Sequence, residues 1–330
     1  MKVSAADIEA AVRILRTGGV VAFPTETVYG LGADASNPAA VERIFAIKGR
    51  PAHHPLIVHL ADAAQLPHWA RDIPGDARTL AAHFWPGPLT LILKRTPQVP
   101  DCVTGGQDTV GLRVPNHPVA LALLCAVGGG IAAPSANRFG RVSPTTAAHV
   151  RAELGGDVDM ILDGGPCRVG LESTIVSLVG ERPVILRPGG ISRAMLVQVL
   201  GSDIQMGAAA EDAPRAPGTL EAHYAPRTPL FVVSAQVLEE TARGFAARRQ
   251  RAGIIQIESG TVPCTEANIR RFMMPRDAET YGQRLYAVLR EGDEAGLHAL
   301  LVEQVPEDDT WLAVHDRLSR AARAHSPDTP

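Results

Sequence analysis

The sequence predicts an α/β fold: a twisted mixed sheet with helices, followed by a smaller αβα C-terminal domain. Three observations carry this. Short apolar strand patterns alternate with amphipathic helical ones through the first 200 residues, whereas hairpin signals and proline breaks argue against a purely parallel sheet. Composition shifts after Leu200, where Gly207–Gly218 is small, polar and punctuated by proline, as interdomain linkers are. Beyond Pro229 a fresh strand–helix alternation of about a hundred residues begins, the size of a compact domain. The expected division is 1–205, a linker at 206–228, and 229–330.

Ser4 with Asp7 forms a capping-box pattern. Ile8, Val12 and Leu15 then mark one face of a helix that Gly18-Gly19 ends. Val20–Phe23 is a buried strand stopped by Pro24. A second helix has Asn37 as N-cap, Pro38 in its first turn, Val41, Ile44 and Phe45 inward, and Gly49 as its stop. Strand patterns follow at Leu56–Leu60, Thr90–Lys94, Thr109–Val114, Ile131–Ala133 and Met160–Leu162. Helical patterns lie near Asp76–Phe84, Pro118–Val127 and Thr146–Leu154, with Thr145 as the expected N-cap of the last. Ser173–Val179 and Pro183–Arg187 read as a hairpin. In the tail, strands are expected at Leu230–Val233, Gly253–Ile257 and His298–Val302, and helices at Val237–Arg248, Glu279–Leu289 and Trp311–Ala324.

Bulk properties narrow the function. The 330 residues carry a formal net charge of −3 and are 45% hydrophobic, so no global basic field draws the chain to nucleic acid or anionic lipid. Cys102, Cys125, Cys167 and Cys264 are scattered without metal-ligand spacing, which points to a reducing compartment. No apolar signal core opens the chain and no stretch of transmembrane length occurs, so a cytoplasmic protein without membrane contact is expected.

Polar groups crowd at particular turns. Lys48-Gly49-Arg50-Pro51 places one cation in the last turn of a helix and another just past it. A helix dipole accounts for the first, whereas the pair aimed past the helix end suits an anionic ligand. His53, His54 and His59 lack the spacing of a metal site and read as hydrogen-bonding groups. Ala133-Pro134-Ser135-Ala136-Asn137, with Ser143 beyond it, forms a turn rich in hydroxyl and amide groups. Glu172-Ser173-Thr174 and Leu186-Arg187 add more of the same chemistry. Gly30-Leu31-Gly32-Ala33-Asp34-Ala35 fits a dinucleotide fingerprint loosely, but it is not set directly between a strand and a helix. No nucleophile–base arrangement or catalytic carboxylate pair stands out. Such a site would work by positioning and electrostatic stabilisation.

Taken together, Pro24-Thr25-Glu26-Thr27-Val28-Tyr29-Gly30-Leu31, Lys48-Gly49-Arg50-Pro51, Pro55–His59, Trp85-Pro86-Gly87-Pro88-Leu89-Thr90 and Pro134-Ser135-Ala136-Asn137 resemble the YrdC/Sua5 family. These are the threonylcarbamoyl-AMP synthases of the tRNA t6A pathway. His223-Tyr224-Ala225-Pro226 resembles the linker signature of the long, two-domain form. The resemblance implies formation of threonylcarbamoyl-AMP, pyrophosphate and water from L-threonine, bicarbonate and ATP, with Mg2+ accompanying ATP and no metal held by protein side chains. It implies Thr27, His59, Arg113, Ala133 and Ser173 around threonine. It places Arg50, His54, Thr109, Ser135, Asn137, Ser143, Arg187 and His223 at ATP, and Lys48 with Arg50 in the catalytic role. His54 stands where the family commonly has asparagine. The implied acceptor of the adenylate is the t6A transferase machinery, with a weak tRNA contact as a further expectation. The rival readings are a non-catalytic RNA-binding module in the same basic cleft, and a related carbamoyl-adenylate enzyme of the hydrogenase-maturation type. The scarcity of aromatic residues weighs against the first. Nothing resembling the extra zinc-finger segments of the second occurs here.

Overall fold

The computed structural model describes residues 3–207, 214–258 and 267–325. Of the expected linker, 208–213 lie outside the described residues, as do Cys264 and the last five residues. Two compact units emerge: Met1–Phe139 with Ser143–Thr219, and Gly140–Val142 with Leu220–Pro330.

Among the described residues the first unit contains ten strands: β1 (Val21–Phe23), β2 (Gly30–Asp34), β3 (Ile57–His59), β4 (Leu89–Lys94), β5 (Thr109–Arg113), β6 (Ile131–Ala132), β7 (Met160–Ile161), β8 (Thr174–Ser177), β9 (Val184–Arg187) and β10 (Gln205–Met206). Its helices are α1 (Ala5–Arg16), α2 (Pro38–Lys48), α3 (Leu66–Trp69), α4 (Gly75–Phe84), α5 (Asp101–Thr104), α6 (Pro118–Val127), α7 (Ala147–Leu154) and α8 (Arg193–Leu200). The strands form one sheet in the order β10-β9-β8-β4-β5-β3-β6-β2-β1-β7. Pairs such as β3–β5 and β4–β8 run parallel while β4–β5, β3–β6 and β8–β9 run antiparallel, so the sheet is mixed, as the proline breaks and hairpin signal indicate.

Period-two alternation sorts side chains onto two faces. Val21 and Phe23 of β1 point to a layer with Ala11, Val12 and Leu15 of α1 and Leu123 and Leu124 of α6. Ala22, between them, joins the opposite layer with Val41 and Ile44 of α2 and Leu80 of α4. Helix ends follow the sequence punctuation. Ser4 and Asp7 make a full capping box, the Asn37 side chain accepts from the Ala40 amide, and Gly49 ends α2 in the left-handed region at φ 62°. One cap differs by a residue: Thr146, not Thr145, accepts from the His149 amide, while the Thr145 amide turns to the His149 ring.

The glycine-rich segment after Tyr29 is strand β2. Its glycines serve packing, since a Cβ on Gly32 would stand 2.6 Å from the Phe23 ring and 2.8 Å from Ile131. The loose fingerprint thus records close approach of side chains from neighbouring strands.

In the second unit β11 (Leu230–Val233), β12 (Ala252–Ile257), β13 (Ile269–Met274) and β14 (Ala299–Glu303) form a parallel sheet in the order β11-β14-β12-β13. Helix α9 (Ala235–Ala247) covers the face of Ile254 and Leu301 with Leu238 and Ala242. Leu300 points to the other face, where α10 (Ala278–Glu294) approaches so closely that a Cβ on Gly292 would meet it at 2.8 Å. Trp311 beside α11 (Leu312–Arg323) meets Tyr281 of α10 edge-on at 5.2 Å, placing α11 beside α10. The unit is therefore an αβα sandwich. Strand β13 escaped the sequence pattern because Arg270 and Arg271 interrupt its apolar run.

Candidate active site

Neighbouring parallel strands β3 and β5 end on His59 and Arg113, which are register partners at the centre of the first-unit sheet. The carboxyl ends of parallel strands are where α/β sheets offer ligand sites. Arg113 is buried, and three groups organise it. Its Nε donates to the Gly87 carbonyl at 3.2 Å, and Nη1 donates to the Thr27 hydroxyl at 2.9 Å. Nη2 lies 2.7 Å from Glu26 Oε1 in an ion pair that lacks hydrogen-bond alignment. Thr27 is held in turn by Thr25, whose hydroxyl accepts from the Thr27 and Val28 amides and donates to the Val28 carbonyl.

His59 is buried beside the Arg113 charge. Burial first, and Arg113 second, hold its pKa down to about 3, so the ring is neutral at ordinary pH. Its Nδ1 has no hydrogen-bond partner among the described residues. Strand β6 runs antiparallel to β3 and the Ala133 amide donates to the Ile57 carbonyl, which fixes the start of the Pro134–Asn137 turn at the Ile57 end of β3, the end opposite His59.

On the other side, Thr90 of β4 and Ser173 join hydroxyls at 2.7 Å. Arg187 grips Ser173 through its carbonyl at 3.1 and 2.8 Å and its hydroxyl at 3.2 Å. The same guanidinium reaches the Pro217 carbonyl at 2.9 Å. Glu172, next in sequence to Ser173, accepts from the Ser143 hydroxyl at 2.6 Å. This chain of contacts joins Thr90, Ser143, Glu172, Ser173 and Arg187.

The cationic turn is built differently. Gly49 lets the chain reverse, and Lys48 runs from the last turn of α2 to the carbonyls of Ser135 and Asn137, both at 2.6 Å. Only 2% of its surface is exposed. Burial, reinforced by Arg50, pushes its pKa well below the usual lysine value. The sequence suggests that Lys48 serves the loop just after it; it serves the Ser135–Asn137 turn instead. Arg50 donates to the Pro55 carbonyl at 2.9 Å and lies over Phe139 at 5.6 Å. His54 meets the same ring at 5.3 Å, and burial with the Arg50 charge lowers its pKa to about 4.

Thr109 starts β5, at the opposite end of the strand from Arg113. His223 belongs to the second unit, where its ring meets Tyr224 edge-on at 4.1 Å. Residues not anticipated are Glu26, Thr90 and Glu172. The signal for Glu26 lies in its setting: a carboxylate within the buried run Phe23–Tyr29 requires a buried cation. Among the described residues no three His, Cys, Asp or Glu side chains converge as a metal cage. Nor is any helix long and apolar enough to cross a membrane.

Buried guanidiniums, a buried lysine and ordered hydroxyls at strand ends define an α/β protein built to seat a small anionic ligand. A family model described as "Telomere recombination" (Sua5, YciO and YrdC) matches residues 13–189, and one described as "Threonylcarbamoyl-AMP synthase, C-terminal domain" matches 191–323. Threonylcarbamoyl-AMP synthase of Pyrococcus abyssi is 42% identical, over 96% of this chain and 94% of its own. That of Bacillus subtilis is 41% identical, over 96% and 92%. The crystal structure of P. abyssi Sua5 complexed with L-threonine superposes with a TM-score of 0.91 at 39% identity, covering 98% of this chain and 96% of that one. The chain belongs to the Sua5/YrdC family.

Proposed function

We propose that this chain is an L-threonylcarbamoyladenylate synthase, a nucleotidyltransferase that forms threonylcarbamoyl-AMP and pyrophosphate from L-threonine, bicarbonate and ATP. The observation that carries the reading is the Arg113–Thr27–Glu26 cluster beside neutral His59. It is a preformed receptor for an amino-acid carboxylate, in a fold whose relative was crystallised with L-threonine.

The chemistry needs no protein nucleophile. Arg113 takes the threonine carboxylate, and Thr27, His59, Ser173 and the Ala133 backbone enclose the rest. The threonine ammonium group gives up one proton, and the free amine then combines with bicarbonate to give a carbamate and one water. A carbamate oxygen then bonds to the α-phosphorus of ATP as the bond to the bridging oxygen breaks, and pyrophosphate leaves. Arg50 and Arg187 stabilise the charge that develops, Lys48 braces the Ser135–Asn137 turn through its two carbonyls, and Ser135, Asn137, Ser143 and His54 orient the nucleotide. Glu26 and Glu172 are committed to Arg113 and Ser143, so magnesium enters as the ATP complex, carried by phosphate oxygens and water. Bound to the nucleotide, it would neutralise charge on the departing pyrophosphate. The adenylate passes to the transferase machinery that modifies tRNA to t6A.

Pyrophosphate release from ATP and bicarbonate, with and without L-threonine, tests the assignment. Threonine-dependent release that Arg50→Ala abolishes is expected. A chain that binds RNA but releases no pyrophosphate under any condition overturns it.

A further inference from the structure

We infer that Glu26 is a positioning residue of the amino-acid site: it fixes the Arg113 guanidinium so that its remaining donors face a ligand carboxylate. The inference rests on the reading of Arg113 as the carboxylate receptor. A guanidinium has five N–H donors. Here Nε serves Gly87, one donor of Nη1 serves Thr27, and Nη2 contacts Glu26. Two donors stay uncommitted, enough for a bidentate carboxylate.

Glu26 is itself locked. It is 2% exposed, and its second oxygen accepts from the Asn116 amide at 3.0 Å. Because Glu26 and Thr27 are consecutive, one turn of backbone, tied by Thr25, sets the positions of both groups that hold the terminal nitrogens of Arg113. A guanidinium buried without a counter-charge would swing toward any acceptor within reach. Glu26 removes that freedom and also cancels the charge of the site before ligand arrives. The ligand carboxylate is then held by directed donors more than by net charge, which favours a zwitterionic amino acid over a dicarboxylate.

The test is calorimetric binding of L-threonine, with steady-state kinetics, for the full chain, Glu26→Gln, Glu26→Asp and Arg113→Ala. In Glu26→Gln, threonine Kd and KM should rise about 10- to 100-fold while the ATP KM stays within about twofold. Glu26→Asp, which keeps the charge on a shorter arm, should fall between. A merely structural role would lower Tm and move both KM values together, and that result overturns the proposal. If Glu26→Gln does not fold, Glu26→Asp decides: an unchanged threonine KM overturns it. Normal threonine binding in both Glu26 variants, with binding lost in Arg113→Ala, overturns the positioning role alone. No threonine binding by the unaltered protein overturns the receptor reading and this inference together.

Discussion

Arg113 and Arg317 are both buried almost completely, and they are buried in different ways. Arg113 in the first unit meets a carboxylate, a hydroxyl and a carbonyl, and keeps N–H donors in reserve. Arg317 in the second unit, 1% exposed, pairs with the adjacent Asp316 and lays its guanidinium over the Tyr224 ring at 4.9 Å. Polar neighbours that differ in kind hold a guanidinium while leaving part of it available. An aromatic face and a sequence-adjacent acid use it as packing material. The depth of a buried charge therefore says little about its role; the chemistry of what surrounds it says more.

Substitutions can sharpen or break this contrast. The largest effect is expected for Arg113→Ala, which should cut threonine-dependent pyrophosphate release about 10²- to 10³-fold. Its stability should fall by about 3–5 kcal/mol in urea titration, because Glu26 is left buried and unpaired. Arg317→Met should lower stability by roughly 1–2 kcal/mol through the lost ring contact. Release per folded molecule should stay near that of the unaltered chain. A folded Arg317→Met protein without activity would erase the distinction drawn here.

Acid should weaken the first region through His59. Its pKa of about 3 in the folded chain lies below the ordinary 6.5, so between these values the unfolded chain binds more protons. Stability is fully present above about pH 6.5 and is lost as pH falls toward 3. Tm measured across that window should decline, and His59→Gln should flatten the decline. The smallest effect belongs to a helix end remote in kind from either arginine. Asn37→Ala removes the cap of α2 and should cost about 0.5–2 kcal/mol by urea titration.

The same contrast explains what the sequence revealed. Local rules sufficed where a residue acts on its own backbone: Ser4 with Asp7, Asn37 and Gly49 all cap as their patterns indicate. They failed where the reason lies across the sheet. The position of the loose glycine fingerprint already argues against a ligand loop, but the packing reason for Gly32 was not legible, because the Phe23 and Ile131 side chains that leave no room for a Cβ come from other strands. Arg270 and Arg271 hid β13, yet Arg271 is satisfied by Glu239 of α9 and by Gln256 of β12. In the site, the conspicuous motifs led to Lys48, Arg50, Ser135, Asn137 and Arg187. Glu26 and Glu172 stayed hidden, because a lone carboxylate announces nothing until its partner, 87 or 29 residues away along the chain, is seen beside it.

Lys48 gives the protein an internal reporter. The 330 residues include three lysines: Lys2, Lys48 and Lys94. The Lys94 side chain is 46% exposed, whereas Lys48 is enclosed with its nitrogen clamped to two carbonyls. An amine-reactive acylating reagent should therefore modify Lys94 at an early, steady rate that serves as a standard within each molecule. Acylation at Lys48, read by peptide mass, would count the openings of the Ser135–Asn137 turn without any assay of the chemistry that the turn supports.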